Sequence, residues 1–372
     1  MDSKILPYLY DASNIIGTSN EVFQPKTIEE AKQFVKNNKS ICIRGGGTGL
    51  AGGAVPNNEP ILDLSKLNHI STFDEKRKTI IVEAGVILDE LEEFLEQYKL
   101  EFPIRPSSHS VCTIGGMIAT DAVGGRAGIY GRTSKWVRWI EVINSKGILE
   151  RKGATELSDF AGMEGITGVI VNACLNLTQQ KKRTATLLSF NSVEEAYENV
   201  KKYRKDSNVS MIELINPFVS EGIRLNGKYN VIVEYENTEG ELTNHRYEEL
   251  MKKRDNIYPF LAGQEYSKIE DPKITNDKII LLLKWLDSHK IPYFGHISVG
   301  IIHPCFKPTD EKLISDMMKS IKKISGQISG EHGIGITKKE YVDPQDKIII
   351  KNIKKRIDPT NKFNNGKIID LE

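Results

Sequence analysis

Apolar and polar residues recur along the chain with two different periods. Apolar positions three and four residues apart, separated by charged ones, predict amphipathic helices at residues 27–37, 86–98, 193–203, 244–254, 274–288, 310–325 and 344–356. Alternation with a period of two, or a short apolar run, predicts strands at residues 40–44, 61–64, 79–84, 168–177, 211–215, 229–237 and 291–297. A hairpin is predicted over residues 137–153, turned at Ser145-Lys146-Gly147.

A change in composition divides these elements into two groups. Residues 179–186 read QQKKRTAT, a polar and charged segment that follows the strand at 168–177. The 372 residues suffice for two or three domains of about 150 residues each. We therefore expect a first domain over residues 1–180 and a second over residues 181–372.

The charge balance and the apolar runs exclude several classes of protein. Lys and Arg number 51 and Asp and Glu number 50, so the net charge of +1 leaves no basic footprint for nucleic acid. No uncharged apolar run reaches the roughly 18 residues that a transmembrane helix needs, and the first residues do not read as an export signal. We expect a soluble protein without a nucleic-acid partner or a transmembrane segment.

The cysteines are too dispersed to form a disulfide framework, a zinc knuckle or an iron–sulfur site. The four are Cys42, Cys112, Cys174 and Cys305. Each lies among apolar neighbours, so we expect buried thiols and a cytoplasmic location.

Glycine is concentrated in three segments, and the first suggests a phosphate-binding loop. Residues 44–56 read RGGGTGLAGGAVP directly after a predicted strand, and residues without Cβ let backbone N–H groups surround an anionic phosphate. A P-loop is excluded because no Lys follows the glycines. The string 47–52 matches G-x-G-x-x-G, but Pro56 and Pro60 argue against the helix that a Rossmann fingerprint requires. A flexible surface loop is the remaining alternative.

The other two glycine segments suggest close approach of the backbone to a ligand. Residues 106–133 combine Gly115-Gly116 with small and hydroxyl side chains around an apolar stretch, and residues 162–170 read GMEGITGVI before a predicted strand. Such a backbone suits a large planar ligand, although each segment alone is also compatible with turn chemistry.

Two histidine segments in the second domain suggest metal chemistry. His296 and His303 lie seven residues apart, and in a flat strand an odd separation directs two side chains to opposite faces. Gly300 must therefore bend the chain if both imidazoles are to reach one centre. With Glu331 they would form a two-histidine, one-carboxylate set, which suits zinc, manganese or iron(II). An isolated histidine is more often a surface or core residue, so each taken alone would not indicate a metal.

Together and in this order, these segments resemble the vanillyl-alcohol-oxidase type of FAD-binding domain, and within it the family of D-lactate dehydrogenase and the glycolate oxidase large subunit. The resemblance runs from QPKTIEEAKQFVK at residue 24 to NKFNNGKI at residues 361–368. It implies an α+β fold, with an FAD domain of two α/β lobes and a cap with an antiparallel sheet. The last residues would return to the FAD domain, placing the turn Asn364-Asn365-Gly366 near the cofactor.

The resemblance also implies which residues bind FAD. The first loop would hold the pyrophosphate, and the other two segments would line the rest of the cofactor. The implied residues are Arg44, Gly45, Gly46, Gly47, Thr48, Gly49, Leu50, Gly53, Pro106, Ser107, Ser108, Thr113, Ile114, Gly115, Gly116, Gly162, Glu164, Gly165, Gly168 and Val169. Thr48 occupies the position of the His that carries covalent flavin in relatives, so we expect non-covalent FAD.

For the second domain the resemblance implies a metal and a catalytic histidine. The family has a Gly-His-x-Gly-Asp-Gly-Asn-x-His segment and a Gly-Glu-His-Gly segment, so His296, His303 and Glu331 would bind a divalent metal. His332 would act next to the substrate. Val299 and Ile301 replace the family's Asp and Asn, which predicts a shell around the metal that is poorer in hydrogen bonds.

Arg254 is similar in position to the family's carboxylate-binding Arg, upstream of the acidic segment IEDPKI at 269–274. It could equally be the cationic end of a solvated helix. Tyr258 would share its face, and Lys268 is one place away from the family's Lys. The implied activity is FAD-dependent oxidation of a 2-hydroxy acid such as D-lactate, glycolate or D-2-hydroxyglutarate.

The alternatives are an accessory flavoprotein subunit of a glycolate-oxidase-like complex and a non-redox flavin enzyme of the same fold. The electron acceptor, whether a quinone, a separate electron-transfer protein or oxygen, stays open, as do a homo- or hetero-oligomeric state and peripheral membrane contact through basic helices.

Overall fold

The computed structural model describes residues 3–236 and 240–371; Asn237, the last residue of a predicted strand, and Glu372 lie outside this part. The strands are β1 (Val22–Phe23), β2 (Cys42–Arg44), β3 (Ile61–Asp63), β4 (Ile70–Asp74), β5 (Thr79–Glu83), β6 (Leu100–Glu101), β7 (Val137–Ile143), β8 (Leu149–Gly153), β9 (Val169–Asn176), β10 (Thr178–Gln179), β11 (Arg183–Phe190), β12 (Val209–Ile215), β13 (Tyr229–Glu236), β14 (Lys268–Ile269), β15 (Tyr293–Gly295) and β16 (His303–Phe306). The helices are α1 (Ile28–Asn37), α2 (Leu88–Glu96), α3 (Ile114–Thr120), α4 (Ala127–Tyr130), α5 (Val193–Tyr203), α6 (Pro217–Gly222), α7 (Asn244–Asp255), α8 (Ile257–Gly263), α9 (Ile279–Ser288), α10 (Glu311–Lys323) and α11 (Pro344–Ile357).

The chain divides into two compact units, and neither is continuous in sequence. The first unit comprises residues 1–123, 132–180 and 331–372, and the second comprises residues 124–131 and 181–330. The mixture of helices with largely antiparallel sheets makes the fold α+β.

The first unit contains two lobes of sheet and helix. A parallel sheet has the strand order β1-β3-β2, and an antiparallel sheet has the order β4-β5-β9-β7-β8. Helix α1 forms because Thr27 caps its N-terminus and because Ala31, Phe34 and Val35 lie on one face, where they are buried. They pack in a core that also contains Phe363 from the C-terminal segment.

The second unit is built on a six-stranded sheet of order β11-β13-β12-β15-β16-β14, antiparallel throughout. Its core joins strand residues such as Ile215 and Ile232 to Leu250 and Leu261 of α7 and α8. Strands β15 and β16 form a hairpin in which Phe294 pairs with His303. This hairpin carries both histidines of the first histidine segment.

Most of the predicted elements are confirmed, and the differences have local causes. The helix predicted at 274–288 begins at Ile279, because Lys278 N bonds Thr275 O in a turn through the polar residues Thr275 to Asp277. Helix α3 was not predicted, because Gly115 and Gly116 are poor helix formers. It forms because Thr113 caps it, accepting a hydrogen bond from Gly116 N at 3.2 Å.

No helix within residues 3–236 and 240–371 combines the length and the apolar character needed to cross a membrane.

Candidate functional site

The first glycine loop lies against the second glycine segment inside the first unit. A Cβ added at Gly46 would lie 2.3 Å from the carbonyl oxygen of Val111, and one added at Gly45 would lie 2.5 Å from Thr113 Oγ1. The absence of a side chain at both positions is what permits this approach. Within the described chain, the N–H groups of residues 46–50 donate no hydrogen bond to another protein group. Five consecutive donors are thus available to an anion, which fits an FAD pyrophosphate.

The other residues implied for FAD are placed as follows. The Arg44 side chain is buried and donates from Nη1 to the carbonyl oxygen of Tyr10 at 2.8 Å, so it supports the N-terminal segment. Ile114 and Gly115 are buried in the first turn of α3, where a Cβ on Gly115 would meet Ala84 at 2.6 Å. Residues 106–108 form the turn before α3, residues 162–168 form the turn before β9, and Val169 begins that strand.

Glu164 ties the third glycine segment to the segment that contains Glu331 and His332. Its buried carboxylate accepts hydrogen bonds from Ile334 N at 2.6 Å and from Gly335 N at 3.0 Å. Its backbone is left-handed, with φ of 46°. Burial raises the pKa of this carboxyl, while the two peptide N–H groups oppose that rise.

The C-terminal segment of the chain completes this part of the first unit. The Asn364 side chain donates to the carbonyl oxygen of Glu164 at 2.7 Å and accepts from Ile43 N at 2.7 Å, next to the first glycine loop. The predicted turn at 364–366 therefore connects the first and third glycine segments. His332 Nε2 lies 3.4 Å from Glu331 Oε1 in the same unit.

Within the second unit, a turn brings His296 and His303 together. The chain leaves β15 at Gly295, turns through residues 297–299 and reverses at Gly300, which has φ of 79°. A Cβ at Gly300 would lie 2.1 Å from the carbonyl oxygen of Ile274, so glycine is required there. The two imidazole centroids are 5.4 Å apart, and both side chains are buried. The predicted bend at Gly300 is confirmed.

Beside this histidine pair lies a buried carboxylate that sequence reasoning did not single out. Glu213 is fully buried on β12, and its Oε2 accepts a hydrogen bond from Arg254 Nε at 2.9 Å and lies 3.8 Å from His296 Nδ1. Burial alone would raise the pKa of Glu213, but the Arg254 guanidinium and the two imidazoles hold it below its ordinary value. The signal in the sequence is one acidic residue inside the apolar strand segment MIELI.

The structure shows what surrounds the Arg254 side chain. Its side chain is buried and paired with Glu213 and Asp255, so the solvated helix end is wrong for this residue. The neighbouring Glu213 carboxylate raises the pKa of Arg254 against the opposing effect of burial. Tyr258 is not on the same helix, because α7 ends at Asp255 and Tyr258 belongs to α8.

Two further features of the second unit bear on the proposed site residues. Residues 124–131 leave the first unit and approach His296, since a Cβ on Gly125 would lie 3.7 Å from its Cε1. In the acidic segment at 269–274, buried Asp271 accepts from Ser329 Oγ and Gly330 N, each at 2.9 Å. Gly330 directly precedes Glu331 in the sequence.

Comparisons with known proteins identify two domain families in this chain. A family model described as an FAD binding domain matches residues 20–152, and one described as the C-terminal domain of FAD linked oxidases matches residues 279–368.

Curated relatives extend the similarity over almost the whole chain. D-lactate dehydrogenase of Archaeoglobus fulgidus is 28% identical over 94% of this chain and 91% of its own length. D-2-hydroxyglutarate dehydrogenase of Stutzerimonas stutzeri is 26% identical, over 92% of this chain and 89% of its own. Glycolate oxidase subunit GlcD of Bacillus subtilis is 25% identical, over 98% of this chain and 92% of its own. The chain is therefore an FAD-linked oxidase with the vanillyl-alcohol-oxidase fold.

Proposed function

We propose that this FAD-dependent oxidoreductase of 2-hydroxy acids oxidises its substrate with the help of a divalent metal held by His296, His303 and Glu331. The observation that carries the metal assignment is the buried histidine pair around the Gly300 turn, with a carboxylate and a guanidinium beside it. Imidazole nitrogens are borderline ligands that suit zinc, manganese or iron(II). Asp271 fixes Gly330 in the second unit, which supports Glu331, the next residue, as the third ligand.

We assign substrate binding to Arg254 and proton transfer to His332. Arg254 binds the substrate carboxylate, and its ion pair with Glu213 orients the guanidinium before the substrate arrives. His332 accepts the proton of the substrate hydroxyl at Nδ1, because Nε2 is the nitrogen that faces Glu331. FAD, when bound, would supply an acceptor for the hydride of the α-carbon, and a metal on His296, His303 and Glu331 would supply Lewis acidity at the hydroxyl. The organic product is the 2-oxo acid.

The cofactor is held non-covalently, by the N–H groups of the first glycine loop. This proposal is supported by the absence of a His or Cys from residues 44–53 and by the five available donors at residues 46–50. Denaturing the protein with acid should therefore release all of the flavin into solution.

A cytoplasmic location is supported by the four free cysteines, which are all buried. Burial raises the pKa of the Cys42 thiol to about 12.

The experiment that tests the function is anaerobic reduction of the bound flavin. D-lactate, glycolate and D-2-hydroxyglutarate are added in turn to metal-replete protein and to protein stripped with a chelator, and the flavin absorbance is followed. We expect one acid to bleach the flavin in replete protein and to do so far more slowly after stripping. The variant His296→Ala should behave like stripped protein, whereas His245→Ala, which removes an exposed histidine of α7, should not.

Two other outcomes would contradict the oxidation or the metal assignment. If flavin is bound but no acid reduces it, an accessory flavoprotein subunit or a non-redox flavin enzyme takes the place of the oxidation. If an acid reduces the flavin equally well before and after stripping, the metal assignment fails while the oxidation stands. The acceptor, whether oxygen, a quinone or a separate protein, is then found by following reoxidation with each.

A further inference from the structure

We propose that Glu213 is a positioning residue for the predicted metal and substrate groups, holding the Arg254 guanidinium and the His296 imidazole in place at once. This inference rests on the function proposed above. It adds a residue of β12 that none of the sequence motifs contains.

The strand register explains why Glu213 faces His296. In the antiparallel pair of β12 and β15, Leu214 lies opposite Gly295 and Ile215 lies opposite Phe294. Extending this register by one residue sets Glu213 opposite His296. Side chains of directly opposed residues have Cβ atoms about 5 Å apart, close enough for a carboxylate to reach a ring nitrogen. Glu213 Oε2 and His296 Nδ1 are 3.8 Å apart, which is within ion-pair distance and longer than a hydrogen bond.

The same oxygen also receives the Arg254 side chain, which comes from helix α7. Nε of Arg254 donates to Oε2 at 2.9 Å, and both side chains are buried. A buried carboxylate is costly unless charged or polar groups surround it. Within the described chain, the second oxygen, Oε1, is buried and makes no hydrogen bond, so the carboxylate has unused acceptor capacity at this place.

The chemistry of metal-bound histidine gives this carboxylate a role. An imidazole that binds a metal through one nitrogen almost always donates its other N–H to a carboxylate, a carbonyl or water, which fixes the ring and raises its basicity. Glu213 lies on the Nδ1 side of His296 at ion-pair distance, so we assign it this supporting role and assign Nε2 to the metal. Val299 and Ile301 stand where the resemblance leads us to expect polar groups, and Glu213 supplies polarity from the opposite strand.

A second buried pair in the same sheet provides a matched control. Glu236 on β13 accepts from Arg183 Nη2 at 2.9 Å and from Tyr130 at 2.7 Å, and it too is buried. It is the same residue type in the same kind of ion pair, and its second partner is the Tyr130 hydroxyl. A purely structural role for Glu213 predicts that Glu213→Gln and Glu236→Gln have similar effects.

The test measures zinc binding and kinetics in parallel. Zinc is titrated calorimetrically into chelator-stripped wild type, Glu213→Gln and Glu236→Gln, each loaded with FAD. Loss of such a supporting partner typically weakens metal binding by about 10- to 100-fold, and we expect a loss in that range for Glu213→Gln and none for Glu236→Gln. We also expect Glu213→Gln to raise the KM for the hydroxy acid more than it lowers kcat, because Arg254 loses its orientation.

Equal zinc affinities and equal KM values in the two variants would overturn the inference. If Glu213→Gln does not fold, the double variant Glu213→Gln/Arg254→Gln, which removes both members of the buried ion pair, replaces it. Zinc affinity about tenfold or more below that of wild type then supports the inference, and wild-type affinity overturns it.

The two proposals fail in distinguishable ways. If no acid reduces the wild-type flavin but Glu213→Gln alone loses zinc affinity, the positioning role stands and the oxidation fails. If wild type is reduced by an acid but the two variants match in zinc affinity and KM, only the positioning role fails. A wild-type protein that neither binds zinc nor is reduced overturns both.

Discussion

Arg126 and Glu234 form a two-point ion pair in the second unit, with Nε to Oε1 at 2.8 Å and Nη2 to Oε2 at 3.1 Å. The Glu234 carboxylate is fully buried and also accepts from Ser210 and Tyr247. Burial alone would raise the pKa of Glu234, but these partners hold it at about 2, against an ordinary value of 4.5.

This pair predicts a specific loss of stability in acid. A carboxyl whose pKa is lowered in the folded state stabilises that state above its ordinary pKa, and the contribution disappears as the pH falls from 4.5 towards 2. The full contribution is about 3 kcal/mol, from roughly 1.4 kcal/mol per pKa unit. The variant Glu234→Gln should be less stable than wild type at neutral pH, and the difference should shrink through this window.

The measurement is the free energy of unfolding in urea at several pH values. Glu249→Gln, which removes an exposed carboxylate of α7, serves as the control and should follow the wild-type pH dependence. A Glu234→Gln curve parallel to that of wild type would contradict the prediction.

Glu164 combines a left-handed backbone with a buried acceptor, and two substitutions separate the two effects. Both Glu164→Ala and Glu164→Gly leave the N–H groups of Ile334 and Gly335 without their acceptor, which costs about 1–3 kcal/mol for each group that stays buried. Ala also retains the strain of φ at 46°, which Gly does not feel. We therefore expect the free energy of unfolding of Glu164→Ala to be roughly 1 kcal/mol lower than that of Glu164→Gly. Urea unfolding decides, and equal stabilities would mean that the backbone strain is relieved elsewhere.

Gly46 should be essential for flavin retention. A Cβ there would lie 2.3 Å from the carbonyl oxygen of Val111, so Gly46→Ala must displace one glycine segment from the other. Such overpacking costs about 1–3 kcal/mol, so we expect FAD affinity to fall by about tenfold or more. Gly153→Ala is the control, because a Cβ at Gly153 meets nothing within 4 Å. FAD titration of the apoproteins, followed by flavin fluorescence, measures both, and an unchanged affinity in Gly46→Ala would argue against the loop as the FAD site.

Gly300→Ala should separate the two histidines. The new Cβ would meet the Ile274 carbonyl oxygen at 2.1 Å, and φ is 79°, so the hairpin between β15 and β16 must deform. We expect weaker zinc binding on calorimetric titration and a loss of about 1–3 kcal/mol of stability. Gly263→Ala, at the end of α8 with nothing within 4 Å, should change neither zinc binding nor flavin reduction. Zinc affinity retained in Gly300→Ala would show that the turn is not what brings the imidazoles together.

Local features of this fold could be predicted because their causes are local. Helices α1 and α5 follow from their apolar spacing, and in the structure the side chains of Thr27 and Ser192 cap their N-termini. The bend at Gly300 follows from the odd separation of His296 and His303. In each case the physical cause lies within a few residues.

The interactions that could not be predicted join residues far apart in sequence. In the sequence, Glu213 is an acidic residue that interrupts an apolar strand. The neighbouring residues do not indicate its partner, which is Arg254, 41 residues later. The segment 124–131 reads as glycine-rich turn chemistry, yet Arg126 finds its carboxylate 108 residues away. Partners of this kind depend on the register of the sheet, which the hydrophobic pattern alone does not determine.

The excursion of residues 124–131 into the second unit limits how this protein can be divided. A fragment of residues 181–330 would retain the six strands of that unit's sheet but lack Arg126 and Tyr130. Glu236 would lose the Tyr130 hydroxyl and Glu234 would lose its two-point partner Arg126, and a buried carboxylate that loses its cation is strongly destabilising. A cap domain for separate expression therefore needs residues 124–131 joined to it by a designed linker. During synthesis on the ribosome, Arg126 and Tyr130 are made more than a hundred residues before their partners Glu234 and Glu236, so they can pair only after those residues have been added.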